Sequence, residues 1–330
     1  MKRSYYIYSD GDLRRHDNTV QFTTIDGIKR DIPIETIGDI YLMSEMSFNT
    51  KLVNLMARHG ITLHFFNYYS FYTGSFYPKE NLLAGELLVK QAQHYSDNTL
   101  RMAIACPLIE ASADNIFRNL RYYSERGKNV SAVMEDIAAL RKKIFQCSQV
   151  AELMGIEGNI RRRYYQAWPE IIDQKIQFEK RVKRPPDNMI NTLISFVNSL
   201  VYTRILSEIY HTQLNPTISY LHEPGVRRFS LSLDLAEIFK PLLGDRLIFS
   251  LLNRNQITER DFTPNLNFLH LKKEASQLIA AEFDKRLKTT INHRELKKDV
   301  SYQYLIRLEA YKLTKHLLGE KKYDAFKIWW

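Results

Sequence analysis

The sequence predicts an α+β fold of two unlike parts: a small β-rich N-terminal domain over residues 1–81 and a larger all-helical domain over 82–330. Three observations predict it. Residues 4–77 hold short runs of β-branched and aromatic residues between turn signals. From residue 82 onward, apolar residues recur three and four apart, the period of a helix. The length of 330 residues suits about two domains, and a hydrophobic content of 45% is enough for a real core.

In the first part, "SYYIYS", "VQFTT", "IYLMS" and "ITLHFF" read as strands. Asp26-Gly27, between "VQFTT" and "IKRDIPIE", signals a hairpin. One helix is expected here, "NTKLVNLMARHG", with Asn49 as N-cap and Gly60 as the stop. Its role is support or assembly, because strand edges need pairing or cover and no ligand set clusters in it. In the second part, "LLAGELLVKQAQHY", "NIFRNLRYYSE", "VMEDIAALRKKIFQC" and "NTLISFVNSLVYTRILSEIYH" read as helices. Pro185-Pro186, behind the basic run "EKRVKR" at 179–184, breaks the helical pattern.

Composition narrows the function classes. Lys+Arg is 47 against 37 for Asp+Glu, a formal charge of +10, which points to a polyanionic partner. Only 12 glycines are present, with neither GxxxxGK[ST] nor GxGxxG, so a P-loop or Rossmann nucleotide enzyme is not expected. Cys106 and Cys147 lack CxxC spacing, which argues against a disulfide framework or zinc-thiolate site and fits a reducing, cytoplasmic setting. The N-terminus has no apolar h-region and no run of about 18 apolar residues occurs, so no signal peptide or membrane span is expected.

Two stretches carry candidate chemistry. In "MGIEGNIRRRYYQAW", residues 154–168, helical spacing puts Glu157, Arg161 and Tyr165 on one face. Arg162 and Arg163 then point about 100° and 200° away. Gly155 and Gly158 suggest that Glu157 sits near a helix start, where free N–H groups favour a carboxylate. The same spacing equally describes a Glu–Arg surface pair contributing about 0.2–0.5 kcal/mol. In "NPTISYLHEPGVRRFSLSLDLAEIFKP", residues 215–241, His222 precedes the turn signal Pro224-Gly225. Arg227 and Arg228 follow, then Asp234 and Glu237, three apart on one helix face. Taken singly, such a histidine is a structural hydrogen-bonding residue and such an acid pair a solvated face. The turn, however, folds the imidazole back towards the acids. An imidazole with carboxylates suits Mg²⁺ or Mn²⁺ better than a thiolate-type zinc site. A non-haem iron triad would need a second histidine; His211 lies eleven residues upstream, at the end of a different helical run.

These two stretches, with "PPDNMINTLISFVNSLVYTRI", resemble the CRISPR-associated spacer-integrating endonucleases, the Cas-one family, over most of the chain. The resemblance implies a β-rich module followed by a helical catalytic domain. It implies a homodimer that assembles with a small ferredoxin-like Cas-two subunit into a heterohexamer-type complex. The implied activity inserts short double-stranded DNA fragments into a CRISPR array, with a divalent metal and a 3′-hydroxyl attacking a phosphodiester. Carried over, the family's metal-binding residues fall on Glu157, His222 and Glu237, and Asp234 matches an acid that many members keep close to the site. Arg161, Arg162, Arg163, Arg227 and Arg228 are the expected DNA contacts. Ile160 and Arg161 stand where many relatives carry small residues, which leaves open which arginine faces the DNA. Two other functions stay open: a non-catalytic DNA-binding assembly protein, and a metal-dependent nuclease acting on RNA or branched DNA.

Overall fold

The fold is a computed structural model that describes residues 2–80, 82, 84–183, 185–225, 229–265 and 268–329. Its first part contains β1 (Arg3–Ile7), β2 (Gly11–His16), β3 (Thr19–Thr24), β4 (Lys29–Pro33), β5 (Ile37–Leu42) and β6 (Met46–Phe48). Helix α1 (Thr50–His59) follows, then β7 (Thr62–Phe66) and β8 (Tyr72–Phe76). The strands form two four-stranded sheets. One has the order β1-β5-β7-β8, parallel except for β8. The other has the order β4-β3-β2-β6, antiparallel except for the β2–β6 pair.

The expected local signals are present. Asn49 caps α1 by accepting from the Leu52 N–H at 3.2 Å, and Gly60 ends it at φ +64°. The β3–β4 hairpin turns at Gly27, whose φ is +81°. The sequence reading misses β2, β6 and β8. β2, "GDLRRH", buries only Leu13 and forms because β3 and β6 pair with both its edges. Leu13, Val20, Ile40, Leu42, Leu55 and Leu63 join both sheets and α1 around one apolar core. Period-2 alternation sends Tyr41, between Ile40 and Leu42, into the core of the helical part instead. That alternation fastens the sheet to the helices.

The second part contains α2 (Gly85–Ser96), α3 (Asn98–Ser124), α4 (Ser131–Arg141), α5 (Val150–Gln166), α6 (Trp168–Ile171), α7 (Met189–Tyr210), α8 (Ser230–Phe239) and α9 (Arg246–Asn253). After β9 (Phe262–Asn265) and β10 (Phe268–Leu271) come α10 (Lys273–Lys288), β11 (Thr290–His293), β12 (Lys298–Ser301) and α11 (Tyr302–Leu317). The expectation of an all-helical second part is therefore corrected by two hairpins, β9–β10 and β11–β12. Each strand has four residues, too few to show a period, and together they lend Phe262, Leu271, Ile291 and Val300 to the core.

α7 is long and apolar enough to cross a membrane by length and composition, but 18 of its 22 residues are buried inside the fold. It is the core helix on which the site is built. α8 packs against α3 and α7, and α5 packs against α3 and α4. Between α8 and α9, residues Lys240–Asp245 form a π-helical turn. Pro241 has no N–H to continue the α-helical ladder, and an i→i+5 turn is one way round that loss.

Candidate functional site

The site lies where α5 faces α8 and the π-helical turn. Glu157 sits two turns inside α5, which starts at Val150, so the expected helix-start position is corrected. Gly155 and Gly158 are interior helical residues with open space beside them; they cost about 0.5–1 kcal/mol each relative to alanine and mark no boundary.

The spacing of four does bring Arg161 beside Glu157, with Nε 3.4 Å from Oε1. The pair is not on the surface. Arg161 is 9% exposed, and its Nη2 donates to Glu237 Oε2 at 2.8 Å and to Ser112 Oγ at 3.4 Å. Nη1 lies 3.6 Å from Asp245 Oδ2. Lys240, one turn after Glu237, holds the other Glu237 oxygen. One guanidinium thus stands among three carboxylates. Held among these acids and 9% exposed, Arg161 presents little surface to a phosphate, unlike the DNA contact expected of it. Arg162 is exposed and bonds only Asn159 of its own helix, at 2.8 Å, among the described residues. Arg163 meets Asp136 at 3.3 Å and Gln166 at 3.1 Å. Arg227 and Arg228 lie outside the described residues.

His222 is positioned by Asp234, which is fully buried on α8. Asp234 accepts from the backbone N–H groups of Tyr220, Leu221 and His222 at 2.6, 2.9 and 2.9 Å. The His222 ring adds a fourth bond, Nδ1 to Oδ1 at 2.8 Å. A carboxylate there selects the tautomer with the proton on Nδ1, which leaves Nε2 its lone pair. Asp234 and Glu237 are both buried, so the alternative of a solvated acid pair does not describe them. Asp234 holds the turn at 220–222, and Glu237 meets Arg161 of α5. Buried carboxylates need partners, and each found a different set. Asp234 therefore orients the imidazole.

The electrostatics divide the acids. Burial, helped by the charge of Glu237, pushes the Glu157 carboxyl above its ordinary range against the pull of Arg161. Glu237 is also buried, but Lys240 and Arg161 outweigh that and hold it well below the usual carboxylate range. Asp245 is pushed up to about 7 by burial, more than Arg161 and Lys240 offset. His222 is pulled down by burial, yet its hydrogen bond to Asp234 and the charges of Asp234 and Glu237 leave it above the ordinary value. Lys183, from the basic run ahead of α7, is lowered by partial desolvation and by Lys240 and Arg181.

Glu157, Glu237 and Nε2 of His222, which has no partner among the described residues, could hold a hard divalent cation by donor type. Among the described residues no three or more His, Cys, Asp or Glu side chains converge as a ligand set, and Arg161 and Lys240 each hold one Glu237 oxygen. Sequence reasoning missed Lys240 and Asp245. The three-residue spacing of Glu237 and Lys240 was a readable signal. Asp245 lies beyond Pro241 and had none.

Residues 5–285 match the family described as CRISPR associated protein Cas1. The chain belongs to the Cas1 family. It is 59% identical over 330 residues to the CRISPR-associated endonuclease Cas1 of Fusobacterium nucleatum subsp. nucleatum, covering 100% of this chain and 98% of the relative. It is 46% identical over 329 residues to the CRISPR-associated protein Cas1 1 of Methanobrevibacter ruminantium, covering 100% and 99%. A solved Cas1 structure from Thermotoga maritima superposes with a TM-score of 0.89 at 39% identity, covering 98% of this chain and all of that one. The Cas1 family is the one that the motifs around Glu157, His222 and Glu237 resemble.

Proposed function

We propose that this Cas1-family protein is a divalent-cation-dependent DNA endonuclease and integrase that joins short DNA fragments to a CRISPR array. The observation that carries the reading is the His222–Asp234 pair, which fixes an imidazole within electrostatic reach of two carboxylates, Glu157 and Glu237. The endonuclease name of the 59% identical relative supports it. Glu157, His222 and Glu237 would hold Mg²⁺ or Mn²⁺, which when bound polarises a phosphoryl oxygen and orients the attacking 3′-hydroxyl and the leaving group.

The chain's own residues do the rest. Asp234 keeps the His222 proton on Nδ1. Lys240 and Arg161 keep Glu237 ionised, so it is ready as a ligand. Because His222 must be neutral to bind a cation and its proton is held more tightly than usual, acidification weakens the site. Exposed basic side chains such as Arg162 grip duplex phosphates without regard to sequence. One phosphodiester replaces another, so no nucleotide energy source is required. The proposed assembly is a homodimer with a small Cas2 subunit, in the cytoplasm; a Cas6-RT-Cas1–Cas2 complex shares the fold at 17% identity, TM-score 0.87, with this protein spanning 36% of the matched chain.

The test is strand transfer of a labelled fragment into a supercoiled array plasmid, with and without cation, in the presence of the small subunit. Cation-dependent joining supports the proposal, and its absence with folded protein sinks it. The competing reading is a non-catalytic DNA-binding assembly protein. The 2.8 Å Arg161–Glu237 pair favours it, since there the acids serve only as ion-pair partners. That reading predicts DNA binding without transfer.

A further inference from the structure

The carboxylate cluster contains one acid that the proposed reaction leaves without a role. Asp245 is 2% exposed, and although Tyr164 bonds its carboxyl, Oδ2 has no hydrogen-bond donor among the described residues. Leaving a buried acceptor unmet is destabilising, so its placement calls for a reason. The backbone is shaped to put it there. Lys240–Asp245 is π-helical, and the wide i→i+5 turn underwinds the chain, carrying Asp245 back towards the face that bears Glu237.

Arg161 spans the two acids. Its Nη2 is bonded to Glu237 at 2.8 Å while its Nη1 faces the unmet Asp245 oxygen at 3.6 Å. With Arg161 on one Glu237 oxygen and Lys240 on the other, a cation that binds Glu237 competes with both for the carboxylate. Arg161 is 9% exposed, with Ser112 of α3 and Asp245 of the π-helical turn beside it, so a displaced guanidinium is best held by a carboxylate within a small rotation. Asp245 supplies it.

We propose that Asp245 is a positioning residue that receives the Arg161 guanidinium when a divalent cation takes Glu237, so that cation and arginine exchange on one carboxylate. The proposal rests on the cation-dependent reading of this site. In the cation-free protein Arg161 is then a competitor of the cation, and Asp245 gives it somewhere to go.

The experiment measures Mn²⁺ binding to the full chain without DNA, by the electron paramagnetic resonance signal of free Mn²⁺. It compares wild type, D245N, R161Q and D245N/R161Q, with a thermal melt of each cation-free protein to establish folding. Substituting a residue that supports metal ligands costs about 10-fold in affinity or more, and D245N is expected to lose that much because Arg161 stays on Glu237. R161Q should bind Mn²⁺ more tightly than wild type. With Arg161 gone, adding D245N should change affinity by less than about twofold. D245N binding like wild type, or losing equally in both backgrounds, overturns the proposal. If D245N does not fold, R161Q decides alone: tighter binding supports the exchange, and unchanged or weaker binding overturns it. Failure of the underlying reading looks different, because then wild type binds no Mn²⁺ or E237Q binds it as well as wild type, and both ideas fall together.

Discussion

Arg204 and Arg161 are both buried arginines held by carboxylates, and their surroundings differ in one respect. Arg204, on α7, meets Asp39 of β5 through Nη1 at 2.8 Å and Nη2 at 3.3 Å, with Glu208 3.9 Å away. Glu208 is in turn bonded by Arg307 and Gln303 of α11, each at 2.8 Å. Two acids meet two cations there, Asp39 and Glu208 against Arg204 and Arg307. Around Arg161, three acids (Glu157, Glu237 and Asp245) meet two cations, Arg161 and Lys240. The balanced set locks a strand to two helices. In the unbalanced set Glu157 and Asp245 both hold protons more tightly than usual, and a bound cation competes with protons for such carboxylates. Similar side chains make a strut in one place and a candidate reaction centre in the other.

The comparison breaks most decisively if the unbalanced set turns out to be inert. Glu157→Ala, His222→Ala and Glu237→Ala are each expected to lower cation-dependent cleavage or joining by about 10³-fold or more, the scale of several kcal/mol of lost charge stabilisation. Their circular dichroism should stay native. Near wild-type activity at limiting cation in any one of them removes that residue from the ligand set. Asp234→Ala should also impair the reaction, because the His222 tautomer is no longer held.

On the balanced side the effect should fall on stability. Arg204→Met leaves Asp39 without its cation and is expected to destabilise the fold by about 3–5 kcal/mol in urea unfolding. A loss under about 1 kcal/mol would mean that the network is not the strut described.

A pH comparison sharpens the contrast. Asp245 has a folded value of about 7, above its ordinary one, so its protonation favours the fold at low pH. That contribution is fully present below the ordinary carboxylate range and is lost as pH rises through about 7. The amide in D245N cannot titrate, so the stability of wild type relative to D245N should be greater at about pH 5 than at about pH 8. Equal differences in urea midpoint at the two pH values would show that Asp245 is ionised throughout.

The smallest expected effect is on the surface. Arg162→Gln should weaken binding of unrelated duplexes about equally and reduce the salt slope by about one unit. Arg161→Gln should leave the salt slope unchanged, because that side chain is buried. A changed slope in R161Q would return Arg161 to the DNA-facing surface.

Much of this was readable over short distances. The spacing of Glu157, Arg161 and Tyr165, the D-x-x-E pair, the Asn49 and Gly60 caps and the Asp26-Gly27 turn all depend on neighbours within a few residues. A polar strand such as β2 was not readable, because its partners rather than its own pattern make it a strand. Gly155 and Gly158 misled for a related reason: a helix interior tolerates glycine once tertiary packing offsets its cost.

By itself, then, the sequence determined the helical faces, the caps and turns, the α+β order of the chain, and the motifs that resemble Cas1. The tertiary structure alone decided that Arg161 is buried among three acids, that Asp234 holds His222 while Glu237 meets α5, and that Asp245 joins them. The physical reason is range. Periodicity and capping act within about a turn of helix, whereas the charge state of an acid depends on burial and on groups brought near from 76 and 84 residues away, as Glu237 and Asp245 are from Arg161.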